Sequence, residues 1–252
     1  MRKIYLLPAL IGLLTSIAAG PLAAQVAVPK QKAAPKAAAA GAAPAAAAGA
    51  PAAGATSTAA AETPAADDKT TKAIDGFRSA KFGMNETDVR AAMSKDFNAK
   101  PDAIKIQDNA SELTRSLLLS APELLPNGGT AELSYVFGYK SKSLIQVGAV
   151  WSKGTDAAMT AEKLFSNANI LRAHFMGEGF KPDSIAVNMP VAGGIVMFRG
   201  SDAKDRSVIL LLQGTFENKE NNQRVLTPTS LLLFYVADAK SPDIFKLPPG
   251  QF

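Results

Sequence analysis

The five-residue pattern Lys-Pro-Asp-x-Ile occurs twice, at Lys100-Pro101-Asp102-Ala103-Ile104 and at Lys181-Pro182-Asp183-Ser184-Ile185, 81 residues apart. Each copy lies just past a stretch with helical apolar spacing and just before a stretch with strand character. A local match in the same context twice over predicts an internal duplication, and that restricts the fold to one built from two similar halves.

The first half opens at Gly76, where Phe77, Phe82, Gly83 and Met84 lead into a helix. Asn85 is suited to accept the unpaired amides of the first turn, and Asp88 places negative charge near the positive helix end. Val89, Met93 and Phe97 recur every four residues and give the helix one apolar face. Beyond the first Lys-Pro-Asp-x-Ile, strands are predicted near residues 104–106 and 111–119, although Ser116-Leu117-Leu118-Leu119 also fits a helix. Ala131, Leu133, Tyr135, Phe137 and Tyr139 then alternate, and residues 144–151 return across the polar turn Lys140-Ser141-Lys142 as a hairpin.

The second half repeats the plan. A helix is predicted over residues 156–176, with Leu164, Ala168, Leu171 and Phe175 as its stripe and Gly177 and Gly179 as its stop. Strands follow at 195–199, 207–216 and 226–236. Pro190 to Gly194 and residues 201–205 are turns, and 217–224 is a polar loop. Each half thus reads as one helix and about four antiparallel strands, and neither could cover its own sheet face. The expected fold is α+β: an antiparallel sheet of six to eight strands with both helices on one face. The very apolar runs 208–212 and 231–236 are expected at its centre. The pseudo-repeats span about 76–152 and 153–240, and residues 241–252 form a proline-rich tail.

Composition enters ahead of the domain. Arg2 and Lys3 precede an apolar run, residues 4–19, and Leu22-Ala23-Ala24 offers small residues for cleavage, so residues 1–24 read as a secretory signal. The run is short for a span, and an uncleaved anchor is the alternative. Residues 25–66 are Ala, Pro and Gly with almost no large hydrophobe and read as a disordered tether. Flexible-coil scaling gives it an end-to-end distance of about 35 Å. The chain has no Cys, which excludes disulfides, thiolate metal sites and a lipobox. Most of the net charge of +5 arises ahead of the domain, because residues 67–252 hold 22 basic and 21 acidic groups. A nearly neutral domain has no electrostatic footprint for nucleic acid.

No catalytic set, metal site or cofactor site is predicted. His174 is the only histidine and sits beside the stripe of the second helix. There is no G-x-S-x-G elbow, no phosphate loop and no EF-hand loop. Trp151, the only tryptophan, ends a strand and reads as a packing residue. Glu123, Glu132 and Glu178 are scattered carboxylates whose spacing the sequence leaves open. Phe77, Phe82 and Met84, bordering the tether, are the leading partner-binding candidates, although a hydrophobic staple and core contacts also account for them. In the tail, Ile244, Phe245 and Leu247 are expected to dock back on the domain. Ile244, Phe245 and the final Phe252 join the candidates for partner contact.

The stretch from Gly76 to Phe97, with Phe82-Gly83-Met84 leading into a Val89-Arg90 helix, resembles a family of uncharacterised exported proteobacterial proteins that carry an Ala/Pro-rich segment before one such domain. More loosely, a Gly-Met helix start followed by antiparallel strands is similar to the modules of envelope assembly lipoproteins and of secreted β-lactamase inhibitor proteins. That resemblance implies binding to another protein, at the level of fold only, since the lipid-anchor and paired cysteines are missing. The expectation is a periplasmic or secreted, non-enzymatic binding protein of the cell envelope. The alternatives are an envelope hydrolase with paired carboxylates and a membrane-anchored stalk.

Overall fold

The computed structural model describes residues 72–218, 224–247 and 250; the signal and tether readings and Phe252 lie outside the described residues. A small hairpin, β1 (Gly76–Phe77) and β2 (Ala80–Lys81), leads into α1 (Glu86–Phe97). Asn85 caps α1 as its spacing requires: its side-chain oxygen accepts the Asp88 amide at 3.0 Å, while its own amide donates to the Asp88 carboxylate at 2.9 Å. Glu86 and Arg90 pair one turn apart at 2.8 Å. Asn98 closes the helix in the left-handed region, at φ 52°.

Four strands follow: β3 (Lys105–Asn109), β4 (Thr114–Ala121), β5 (Ala131–Phe137) and β6 (Leu144–Ser152). Ser116 to Leu119 lies within β4, where Leu117 and Leu119 face inward on a period of two. The second half supplies α2 (Ala161–Met176), then β7 (Ala186–Val191), β8 (Gly194–Ser201), β9 (Ser207–Asn218) and β10 (Arg224–Val236). Both Lys-Pro-Asp-x-Ile copies fold alike, as single 3₁₀ turns, Pro101–Ala103 and Pro182–Ser184. In each, the isoleucine amide donates to the proline carbonyl at 3.3 Å.

Two details depart from expectation. The second helix begins at Ala161 under a Thr160 cap, not at 156. Asp156 is occupied elsewhere: its carboxylate accepts the Thr130 amide at 3.1 Å and the Ala158 amide at 2.9 Å, folding residues 153–159 into turns. Pro190 and Val191 belong to strand β7, not to a turn. Asn188 adopts φ 52° in that strand and interrupts its alternation. Proline is tolerated there because β7 is a sheet edge.

All eight of these strands form one antiparallel sheet in the order β3-β4-β5-β6-β10-β9-β8-β7. Each half is a meander, and the halves join along one seam where β6 pairs β10, with Leu231 opposite Trp151 and Leu233 opposite Ala149. The central pair is therefore β6 and β10. The run 231–236 lies there as expected, while 208–212 lies one strand further out.

One face of the sheet and both helix stripes make the main core. Val89 and Met93 of α1 and Leu164, Ala168, Leu171 and Phe175 of α2 are buried with Leu117, Leu133, Tyr135, Trp151, Phe198, Leu210 and Leu231. Residues opposite these in the alternation point to the other face, which neither α1 nor α2 covers and which is termed the helix-free face for the described residues. No helix among the described residues is long and apolar enough to cross a membrane.

Candidate partner-binding surface

The aromatic and aliphatic residues singled out ahead of α1 are held against the domain's own core. Phe77 stacks on Phe97 with ring centres 6.5 Å apart and tilts against Tyr235 at 5.3 Å. The Arg78 guanidinium covers Phe97 at 4.5 Å. Phe82 and Met84 are half-buried against the same core. The Met84 carbonyl accepts the Leu144 amide at 2.8 Å, and the Gly83 amide donates to the Leu144 carbonyl at 2.9 Å. These bonds fix the segment before α1 to the start of β6.

The tail reaches the other side of the same β5–β6 turn. The Asp243 carboxylate accepts the amides of Lys140 at 3.0 Å and Ser141 at 2.8 Å, while its carbonyl accepts the Tyr139 amide at 2.8 Å. The Phe245 amide bonds the Glu112 carbonyl at 2.9 Å, and its ring meets Tyr139 edge-on at 5.5 Å. Gly138 is required by this approach, because a Cβ there would overlap the Asp243 carboxylate. Ile244 and Phe245 are half-buried, whereas Leu247 is exposed. Phe77, Phe82 and Met84 thus sit on one side of the turn and Ile244 and Phe245 on the other; they form two intramolecular docks and no shared surface.

The carboxylates serve loops in the same way. Asp202 is buried: burial opposes its ionisation, but the Ile74 amide at 3.0 Å, the Arg206 side chain at 2.7 Å and the amides of Arg206 and Lys204 hold its carboxyl below the ordinary value. Asp156 is lowered by the Thr130 and Ala158 amides. Asp243 is lowered too, against the opposing effect of burial, by Ser141 and Lys140. Glu178 pairs with Lys72 and stands 3.6 Å from His174, which is exposed on α2. Glu123 and Glu132 are exposed. No group of three His, Cys, Asp or Glu arranged to hold a metal occurs among the described residues. Trp151 is fully buried, a core residue as its position implied.

The feature that sequence reasoning missed is the helix-free face. Over β8, β9 and β10 it carries Val196, Ile209, Leu211, Leu232, Phe234 and Val236, a second apolar cluster whose members are all buried, bordered by Val150, Met189, Val191 and Ala239. Neither helix contributes a residue to it. Over β4, β5 and β6 the same face is mostly polar, with Ser116, Ser120, Glu132, Ser134 and Gln146. Gly148 lets the Phe234 ring lie across the seam, since a Cβ there would stand 3.2 Å from the ring. The signal was present in the sequence: the runs 208–212 and 231–236 are apolar without alternation, the pattern of strands covered on both faces.

No protein-family model, curated protein or solved structure matches the chain.

Proposed function

We propose that the protein is a non-enzymatic binding module of the cell envelope that meets another envelope protein along strand β7 at the edge of its sheet. The observation carrying this reading is strand β7, which ends the sheet among the described residues and carries Val187, 41% exposed, with Met189 and Val191 half-buried. A sheet edge presents unpaired backbone amides and carbonyls to which a strand of another chain can add. Export by residues 1–24 and a spacer over residues 25–66 belong to the same proposal and place the domain at reach from its point of exit. The carboxylates already committed to loop amides and to ion pairs support binding over hydrolysis.

The test is crosslinking and co-purification of the exported protein from its own cells, set beside a double variant, Met189→Glu with Val191→Glu. Both positions are half-buried at the rim of the cluster on an edge strand, so the fold tolerates them. A single stoichiometric envelope protein, lost with the variant, is expected. Capture that the variant leaves unchanged, or a clean monomer without partner, overturns the reading.

A further inference from the structure

Arg199 of β8 stands opposite Ile209 of β9, a member of the second apolar cluster, and opposite Ala186 of the edge strand β7. Its side chain therefore starts on the helix-free face, one strand in from the edge. The residue is half-buried, and its Nε is buried without a hydrogen-bond partner. The carboxylates at this end of the sheet are committed to other cations: Asp202 and Asp75 to Arg206, each at 2.7 Å, and Asp205 to Lys240 at 2.8 Å. No ion pair to Arg199 occurs among the described residues. Arginine cannot shed its proton to relieve a desolvated, unpaired N–H. A carboxylate supplied by another chain would relieve it, and a guanidinium can hold one through two parallel bonds.

The surroundings of Arg199 say where that carboxylate would stand. Ala186 puts only a methyl group between Arg199 and the edge. Further along the same face, β7 carries Met189 opposite Val196 and Val191 opposite Gly194, both half-buried against the apolar cluster. A strand added to β7 lies about 4.8 Å further out, roughly 10 Å from β8. The stems of an arginine and a glutamate together span that distance across an alanine. The next residues on the same face of the added strand meet Met189 and Val191, where apolar side chains pair best.

We propose that the strand received by β7 carries a glutamate beside Ala186, flanked by apolar residues on the same face, and that Arg199 selects it. This rests on the reading of β7 as the docking edge. Exported protein labelled with nitrogen-15 is titrated with a short peptide of alternating threonine and valine whose central valine is replaced by glutamate, and with its glutamine and lysine counterparts. The glutamate peptide is expected to shift the Ala186 and Val187 amides and the Arg199 Nε–H signal saturably, and to bind at least fivefold more tightly than the glutamine peptide, with lysine weakest. Arg199→Met keeps the stem and removes the unpaired N–H. It is expected to bind the glutamate and glutamine peptides alike, and to unfold at no lower urea concentration than wild type. Equal binding of the two peptides by wild type, a glutamate preference that survives Arg199→Met, or a lowered urea midpoint in that variant each overturn the proposal, while the shifts of the β7 amides leave the edge reading standing. If no peptide moves the β7 amides, the proposal falls together with the edge reading.

Discussion

Tyr135 is fully buried in the main core, and its hydroxyl has no partner among the described residues. Burial, with the Asp96 charge adding to it, raises its pKa well above the ordinary tyrosine value. A buried hydroxyl without a hydrogen bond costs about 1–3 kcal/mol. Tyr135→Phe removes that cost and leaves a void of only one oxygen, worth less than about 1 kcal/mol. The variant is therefore expected to be more stable by about 1–2 kcal/mol. With a urea slope of about 2 kcal/mol/M for a domain of this size, the midpoint rises by about 0.5–1 M. The single Trp151, fully buried in the same core, reports the transition by fluorescence. A second arm uses pH. In the unfolded chain Tyr135 ionises near pH 10, while the folded protein still holds the proton, so the unfolded state binds fewer protons and stability falls as pH rises above about 10. Tyr235, pushed up to about 12 by burial and by the charge of Glu178, adds to the same alkaline loss. The slope in this range is expected to be shallower in Tyr135→Phe. A midpoint that stays or falls, with an unchanged alkaline slope, refutes the reasoning and places a partner on the hydroxyl.

Two further outcomes follow from the loop carboxylates. Asp202→Asn leaves the half-buried Arg206 with Asp75 alone and weakens the tie to Ile74, costing about 3 kcal/mol by urea unfolding. Because the folded carboxyl titrates below its unfolded value, the wild-type contribution is full above about pH 3.8 and fades as pH falls below it, so wild type and variant converge on acidification. Gly138→Ala drives a methyl group into the Asp243 carboxylate and should release the tail, read as rapid protease cutting after residue 237 while the sheet stays intact.

The helices were legible because their signals are local: Asn85 caps where its spacing demands, and the two stripes bury the residues the period selects. The eight-stranded sheet followed from the repeat. Strand β7 was the hardest to see, since Asn188 at φ 52° and Pro190 break the alternation that marks a strand. Asp156 read as part of a helix because a carboxylate ahead of an apolar stripe looks the same whether it joins the helix or holds a turn. Phe77 and Phe82 were legible as either core or partner contacts, for a staple and an exposed anchor share one sequence pattern.

The single seam between the halves bears on how copies of this chain behave toward one another. Every other pairing within the eight-stranded sheet is between consecutive strands, so each half can form its meander from local contacts, and only β6 with β10 must find each other across the sequence. Until they do, β6 from Leu144 to Ser152 is an unguarded apolar edge, and β10 of a second chain would fit it as well as its own. That is the geometry of domain swapping. The hinge for such an exchange is the connection between β6 and α2, and the chain fastens it. The Thr155 hydroxyl donates toward the Thr130 and Ser152 carbonyls and accepts the Ser152 amide, each at 3.0 Å, while Asp156 takes the Thr130 amide. Those bonds tie the hinge to the first half before α2 begins, which favours return of the second half to its own partner over that of a neighbour.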